Sequence, residues 1–230
     1  MAQTGNHKGL QFGIFLAPFH RLGENPTVAM HASRLTVVLL GLSLSTTQAA
    51  AAPIETAGAT QCEVRGFSID PDPKGTNVRS APRADAPIIG HLPPRVRVTP
   101  VETTGVTFKI LGAKDGWLLI RNDAPTDEVK LDPANTDDGR GWVSGRLVGT
   151  TLVAVNLRTA PRWDASVIAN FGGPNSSPES VVVSTVHGCR GKYIEVTGSP
   201  LSGKTVRGWS YGPCSLQLTS CGAIMDEPKE

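Results

Sequence analysis

Helical patterning is the first thing this sequence lacks. Beyond position 60 no twelve-residue window carries the i, i+3, i+4, i+7 apolar spacing of an amphipathic helix. Gly (25) and Pro (18) are instead frequent enough to cut the chain into short strands. Lacking too is an apolar run of the roughly 20 residues that a membrane-crossing helix requires. A basic excess is also missing. Of 22 Lys+Arg and 20 Asp+Glu, residues 1–52 hold only Lys8, Arg21, Arg34 and Glu24, so the remainder is neutral at 19 of each sign. That removes the electrostatic footprint of a nucleic-acid binder. Histidine is sparse: of five, only His91 and His187 lie beyond residue 52. No H-E-x-x-H motif occurs, and neither of these histidines pairs with a cysteine nucleophile that is not better read as half of a cystine, so no metal pair or Cys–His pair is written in the chain. The acidic stretch Asp123–Arg140 lacks the central Gly and closing Glu of a calcium loop and reads as a solvated hairpin loop. The expectation is a non-enzyme without cofactor or resident metal; carboxylates that meet only in space are the one enzymatic alternative.

What is present begins with a three-part N-terminal pattern. Arg34 precedes the uncharged run Leu35–Thr46, and small residues follow it through Ala52. Charge, apolar core and small-residue tail in that order make 34–51 a secretory signal peptide, cut after Ala51 or Ala59. A buried core helix or a short membrane anchor is the alternative. Export implies a secreted or periplasmic protein, with residues 52–60 as a flexible linker. The preceding Gly9–His31, GLQFGIFLAPFHRLGENPTVAMH, resembles the opening of luciferase-like flavin monooxygenases. One barrel strand has no sheet to join and cannot hold flavin. Residues 1–33 therefore read as a fused fragment or an overlong start, with Met30 as an alternative first residue.

The strongest signal is a repeat. Asn77–Gly90, NVRSAPRADAPIIG, returns as Asn156–Ala169, NLRTAPRWDASVIA, with eight of fourteen residues identical. Further blocks recur in the same order: Gly116–Ile120 against Gly191–Val196, then Arg140–Gly145 (RGWVSG) against Arg207–Gly212 (RGWSYG). Strand periodicity runs through both units, as in Arg95-Val96-Arg97-Val98 and in Val181–Val186. About five short strands per unit bury an apolar face only by closing on themselves. Val78 and Leu157 should point inward, and Arg79 and Arg158 outward beside them.

These blocks are similar to bacterial SH3-type domains, whose pattern runs N-V-R-S-G/A-P, I-G-x-L-P, G-W and G-W-V-x-G. The first unit matches at Asn77–Pro82, Ile89–Pro93, Gly116-Trp117 and Gly141–Gly145, and the second at Asn156–Pro161 and Gly208–Gly212. The first unit has Pro94-Arg95 in place of a turn glycine. The second has Ala169 for the glycine and Tyr193 for the first tryptophan. The resemblance implies an all-β chain of two SH3-like barrels in tandem, 61–147 and 151–221, followed by a disordered tail, 222–230. Val148-Gly149-Thr150 is too short to keep them apart, so one rigid two-unit particle is expected.

Four cysteines, Cys62, Cys189, Cys214 and Cys221, make an even count, which in an exported chain favours disulfides. A hairpin centred near Leu201 with Tyr193 opposite Trp209 favours Cys189–Cys214 and leaves Cys62–Cys221; the rival is a local Cys214–Cys221 loop. Zinc on His187, Cys189, Cys214 and Cys221 is the weaker alternative, since the spacing is not a paired-ligand pattern.

For binding, Trp163 stands out because it replaces Ala84 in an otherwise parallel loop. It can stack on a ligand or pack against the other unit. Arg158, Arg162 and Tyr211 can flank it, with Arg79 as the first unit's counterpart. Trp117, Trp142 and Trp209 read as core. The resemblance implies a non-catalytic binding module for cell-wall peptidoglycan peptide or a segment of another envelope protein. The alternative is a disulfide-stabilised structural envelope protein without a small ligand.

Overall fold

The computed structural model describes residues 53–122, 139–174, 176–201, 203–225 and 227–229. The signal peptide, the segment before it and most of the acidic loop fall outside these. The fold is all-β. Among the described residues the only helical turns are two short 3-10 segments, Gly145–Leu147 and Pro178–Ser180, and no helix is long and apolar enough to cross a membrane.

The first sheet holds β1 (Thr60–Ser68), β2 (Thr76–Arg79), β3 (Ile88–Leu92), β6 (Thr107–Lys114), β7 (Trp117–Asn122), β8 (Arg140–Ser144) and β9 (Val148–Gly149), in the order β3-β2-β8-β7-β6-β1-β9. β4 (Val96–Arg97) and β5 (Thr103–Thr104) form a separate two-stranded ribbon. The second sheet holds β10 (Asn156–Arg158), β11 (Val167–Asn170), β12 (Val182–Arg190), β13 (Tyr193–Ser199) and β14 (Val206–Tyr211), ordered β11-β10-β14-β13-β12. That is the order of β3-β2-β8-β7-β6, strand for strand, and the registers coincide. Arg79 lies opposite Trp142 as Arg158 lies opposite Trp209; Ile110 lies opposite Ile120 as Val186 lies opposite Val196. Irregularities fall at matching places, after Val78 and Leu157 and after Ile110 and Val186.

Local chemistry sets the hairpin turns. Between β6 and β7 the turn is Asp115-Gly116, with φ of 51° and 78°, the pairing of residues that tolerates two successive left-handed positions. Gly191-Lys192 reverses the chain at the corresponding place between β12 and β13, with Gly191 at φ 54°.

Val78 and Leu157 are fully buried, as strand alternation requires. They belong to one hydrophobic core that draws on both sheets: Val64, Phe108, Ile110, Ile120 and Val143 from the first, and Leu157, Val186, Ile194 and Val196 from the second. Backbone approach is close there. A Cβ on Gly145 would sit 1.9 Å from the Val186 carbonyl oxygen, so only glycine lets the end of β8 meet β12. Alternation fails at Arg95–Val98: only Val96–Arg97 is strand, and Val96 and Val98 are exposed, because the ribbon they form has no layer behind it. His91, read as a turn residue, is an exposed position of β3.

The cysteine pairing corrects the favoured expectation. The bonds are Cys62–Cys189 and Cys214–Cys221, with Cα–Cα distances of 5.7 and 6.3 Å. The expectation carried Cys189 on the strand of Tyr193. The Gly191-Lys192 turn separates them, so Cys189 lies on β12 opposite Ile194, and Tyr193 lies opposite Tyr211 rather than Trp209. Beside this turn runs β1, where Glu63 N–H donates to the Gly191 carbonyl at 2.7 Å and Gly191 N–H to the Gln61 carbonyl at 2.8 Å. The first disulfide thus joins the first strand of one sheet to the edge strand of the other. With all four sulfurs engaged, none is a thiolate available to zinc.

Candidate functional site

Strand alternation divides the second sheet cleanly. Leu157, Ile194, Val196 and Ser210 turn toward the core, which leaves Arg158, Tyr193, Glu195, Trp209 and Tyr211 on the outer face. Tyr193 and Tyr211 meet edge to face at 5.2 Å between ring centroids, and with Ala154, Trp209 and Ile224 they form a second apolar cluster.

Ile224 belongs to the segment expected to be a free tail. The chain instead returns: Ile224 N–H donates to the Val153 carbonyl at 2.7 Å, and Val155 N–H donates to the Ile224 carbonyl at 3.1 Å. Ile224 therefore pairs like an added strand beside residues 153–155. Three residues on, the Glu227 carboxylate accepts from Arg158 Nε at 2.9 Å to each oxygen, and Tyr193 OH donates to Oε2 at 3.1 Å. The Glu227 side chain is 2% exposed and that of Arg158 12%, so this ion pair is largely withdrawn from solvent. Lys229 Nζ then stands 5.5 Å from the centre of the Trp163 ring, within cation–π range. Trp163 keeps 37% of its surface exposed.

Arg158, Tyr211 and Trp163 are thus brought to one face around Ile224, Glu227 and Lys229. Arg162 lies on the same loop, exposed, with Asp164 at 3.5 Å. Arg79 sits on the other sheet. Neither repeated arginine projects freely outward, as strand alternation had suggested. In each unit its Nη1 donates to a carbonyl seven residues on, Arg79 to Ala86 at 2.6 Å and Arg158 to Ala165 at 2.8 Å. The N-x-R-x-A-P block returns because this arginine staples its own loop. Only Arg158 adds a carboxylate. Sequence reasoning missed Ile224 and Glu227, and it read Tyr193 merely as a departure from tryptophan. Its hydroxyl is what the carboxylate needs.

The first sheet is covered by a different segment. Residues 53–57, within the expected linker, lie over the corresponding face: Trp142 Nε1–H donates to the Glu55 carbonyl at 2.8 Å, and Glu55 N–H to the Ser80 carbonyl at 2.9 Å. Hydrogen bonds from Arg83 and Lys114 hold the Glu55 carboxyl below the usual carboxylate range. Trp142 is fully buried, whereas Trp117 and Trp209, also read as core, are half-buried.

His187 Nε2 lies 2.7 Å from Thr197 Oγ1 near Trp209. Burial, helped by Arg207 and opposed by Glu195, lowers its pKa below the ordinary 6.5. The folded protein resists a proton that the unfolded chain accepts. The stabilisation is complete above pH ~6.5 and is lost as pH falls toward the folded value. Unfolding curves of wild type and His187→Gln between pH 8 and 5 are expected to converge in midpoint at the acid end; a constant gap across that range would contradict this sign.

The described residues hold no group of three or more His, Cys, Asp or Glu able to bind a metal. Aromatic and arginine side chains thus line the outer face of the second sheet, beside the loop that Arg158 staples. Residues 74–149, spanning β2 to β9, match the bacterial SH3 domain family. No curated protein and no solved structure matches the chain.

Proposed function

We propose that the protein is a non-catalytic binding module of the cell envelope, exported to a secreted or periplasmic location, in which the second sheet is a further copy of the SH3-type fold. It recognises an extended peptide of the wall, or a segment of another envelope protein, on the face around Arg158, Tyr211 and Trp163, with Arg162 at the rim. The observation that carries this reading is the face itself: it already holds a segment of the chain by backbone pairing at Ile224, a bifurcated Arg158 Nε–H contact to both oxygens of a carboxylate, and a cation over an indole. Support for an extracytoplasmic location comes from the two disulfides, which persist in oxidising compartments. Small aromatic-lined β domains bind by such grooves because rigid rings bury much area at low entropy cost.

The test is retention on purified cell-wall sacculi. Wild type is expected to sediment with them, and Trp163→Ala to lose most of that retention, about tenfold or more, as removal of a stacking aromatic at a binding centre does. Equal failure of both proteins to sediment removes the wall as ligand; release of soluble muropeptides would replace the reading with an enzymatic one. A structural role without a ligand is favoured by one observation, the shared core clamped by Cys62–Cys189. Under that role Trp163→Ala changes nothing in sedimentation.

A further inference from the structure

The contacts of Ile224, Glu227 and Lys229 describe a ligand. An aliphatic side chain lies in the cluster of Tyr193, Tyr211 and Trp209 with its backbone paired in parallel beside residues 153–155. Three residues later a carboxylate is taken by Arg158 and Tyr193, and two residues after that a cation reaches Trp163. Buried carboxylates are retained only where donors replace their water; here an arginine side and a tyrosine hydroxyl do so. These are the donors that an incoming carboxylate would need. The strand beside Ile224 is short, and the occupant's backbone contributes just two hydrogen bonds in this pairing, Ile224 N–H to Val153 O and Val155 N–H to Ile224 O. Exchange of the segment therefore leaves both sheets, the common core and the two disulfides in place.

We propose that the chain's own C-terminal segment is a resident competitor in the binding groove. The external ligand is an extended peptide that presents an aliphatic residue and, three positions later, a carboxylate. This rests on the reading of that face as a binding site, and it deepens it in two ways. It specifies the ligand chemistry, and it makes the resting protein self-occupied. A tethered competitor acts at an effective concentration in the millimolar range, so a free peptide must either outmatch it or wait for it to be drawn away.

The test uses the full-length, disulfide-bonded protein and a fluorescent synthetic peptide of residues 222–230 as probe. Wild type is expected to bind the probe weakly. Glu227→Gln, and more fully the double variant Ile224→Ser/Glu227→Gln, is expected to bind it about tenfold or more tightly, because the tethered competitor is weakened. A probe carrying glutamine at the position of Glu227 loses that gain. So does adding Arg158→Gln to the double variant. Near-UV circular dichroism confirms that each protein is folded. If the folded double variant binds the probe no better than wild type, the segment is a structural strap and the proposal is overturned. The sacculus assay separates the two ideas. Probe binding without sacculus retention sinks the wall reading and leaves this inference standing, whereas Trp163-dependent retention without a gain in probe binding sinks this inference alone.

Discussion

Replacing Cys62 and Cys189 together by alanine is expected to remove about 5 kcal/mol of unfolding free energy, the largest effect of any change considered. The two residues are 127 positions apart, so the bond constrains a loop that includes most of both sheets. In the chain-entropy picture such a loop gives about 5 kcal/mol, against about 2.5 kcal/mol for the seven-residue separation of Cys214–Cys221. Urea unfolding of the two double-alanine variants checks both numbers at once. The first variant should unfold at a markedly lower midpoint, and the second only modestly below wild type. Equal shifts would mean that loop length does not govern the stabilisation. The location adds to the entropy. Cys62 sits beside the Gly191 turn, where two backbone hydrogen bonds already join the sheets, so the bond holds a seam that also carries the shared core.

Trp142→Ala should cost about 3–5 kcal/mol, the range for truncating a fully buried tryptophan with incomplete collapse of the cavity. Trp142 is completely buried, and its indole N–H is satisfied by the Glu55 carbonyl. Truncation therefore also frees the segment around Glu55. Trp209 occupies the matching register position on β14 but is only half-buried. Its alanine variant should cost no more than about 1–2 kcal/mol, since less area leaves water there on folding. Measuring the pair in the same denaturant series tests whether the outer faces differ as described. Similar losses from the two substitutions would show that Trp209 is as deeply committed to the fold as Trp142.

The repeat was legible because short-range constraints wrote it. Val78 and Leu157 had to be apolar to face the core, and Arg79 and Arg158 had to be arginine to reach Ala86 and Ala165 across their loops. All-β architecture followed from the same strand-length blocks. Disulfide pairing was less legible. Choosing it required seeing that Gly191-Lys192 reverses the chain as Asp115-Gly116 does, and the two turns share no residue type at matching positions except that each contains a glycine. The Arg95–Val98 alternation misled because period two reports only that the faces differ, not that either is covered. Of the candidate site, Trp163, Arg158 and Tyr211 could be picked out as substitutions or block residues. Ile224 and Glu227 could not. Nothing in GAIMDEPKE has a period, and its meaning comes only from the sheet it meets, more than sixty positions upstream at Arg158.

The seam between the sheets also bears on how such a chain can be inherited. Duplicated modules are usually free to be shuffled, lost or multiplied one at a time. Here a genetic crossover at Val148–Thr150 would leave Cys62 in one product and Cys189 in the other, each a lone thiol beside a torn hydrophobic surface. Separating the two halves would thus cost each of them the Cys62–Cys189 cystine and its share of the common core.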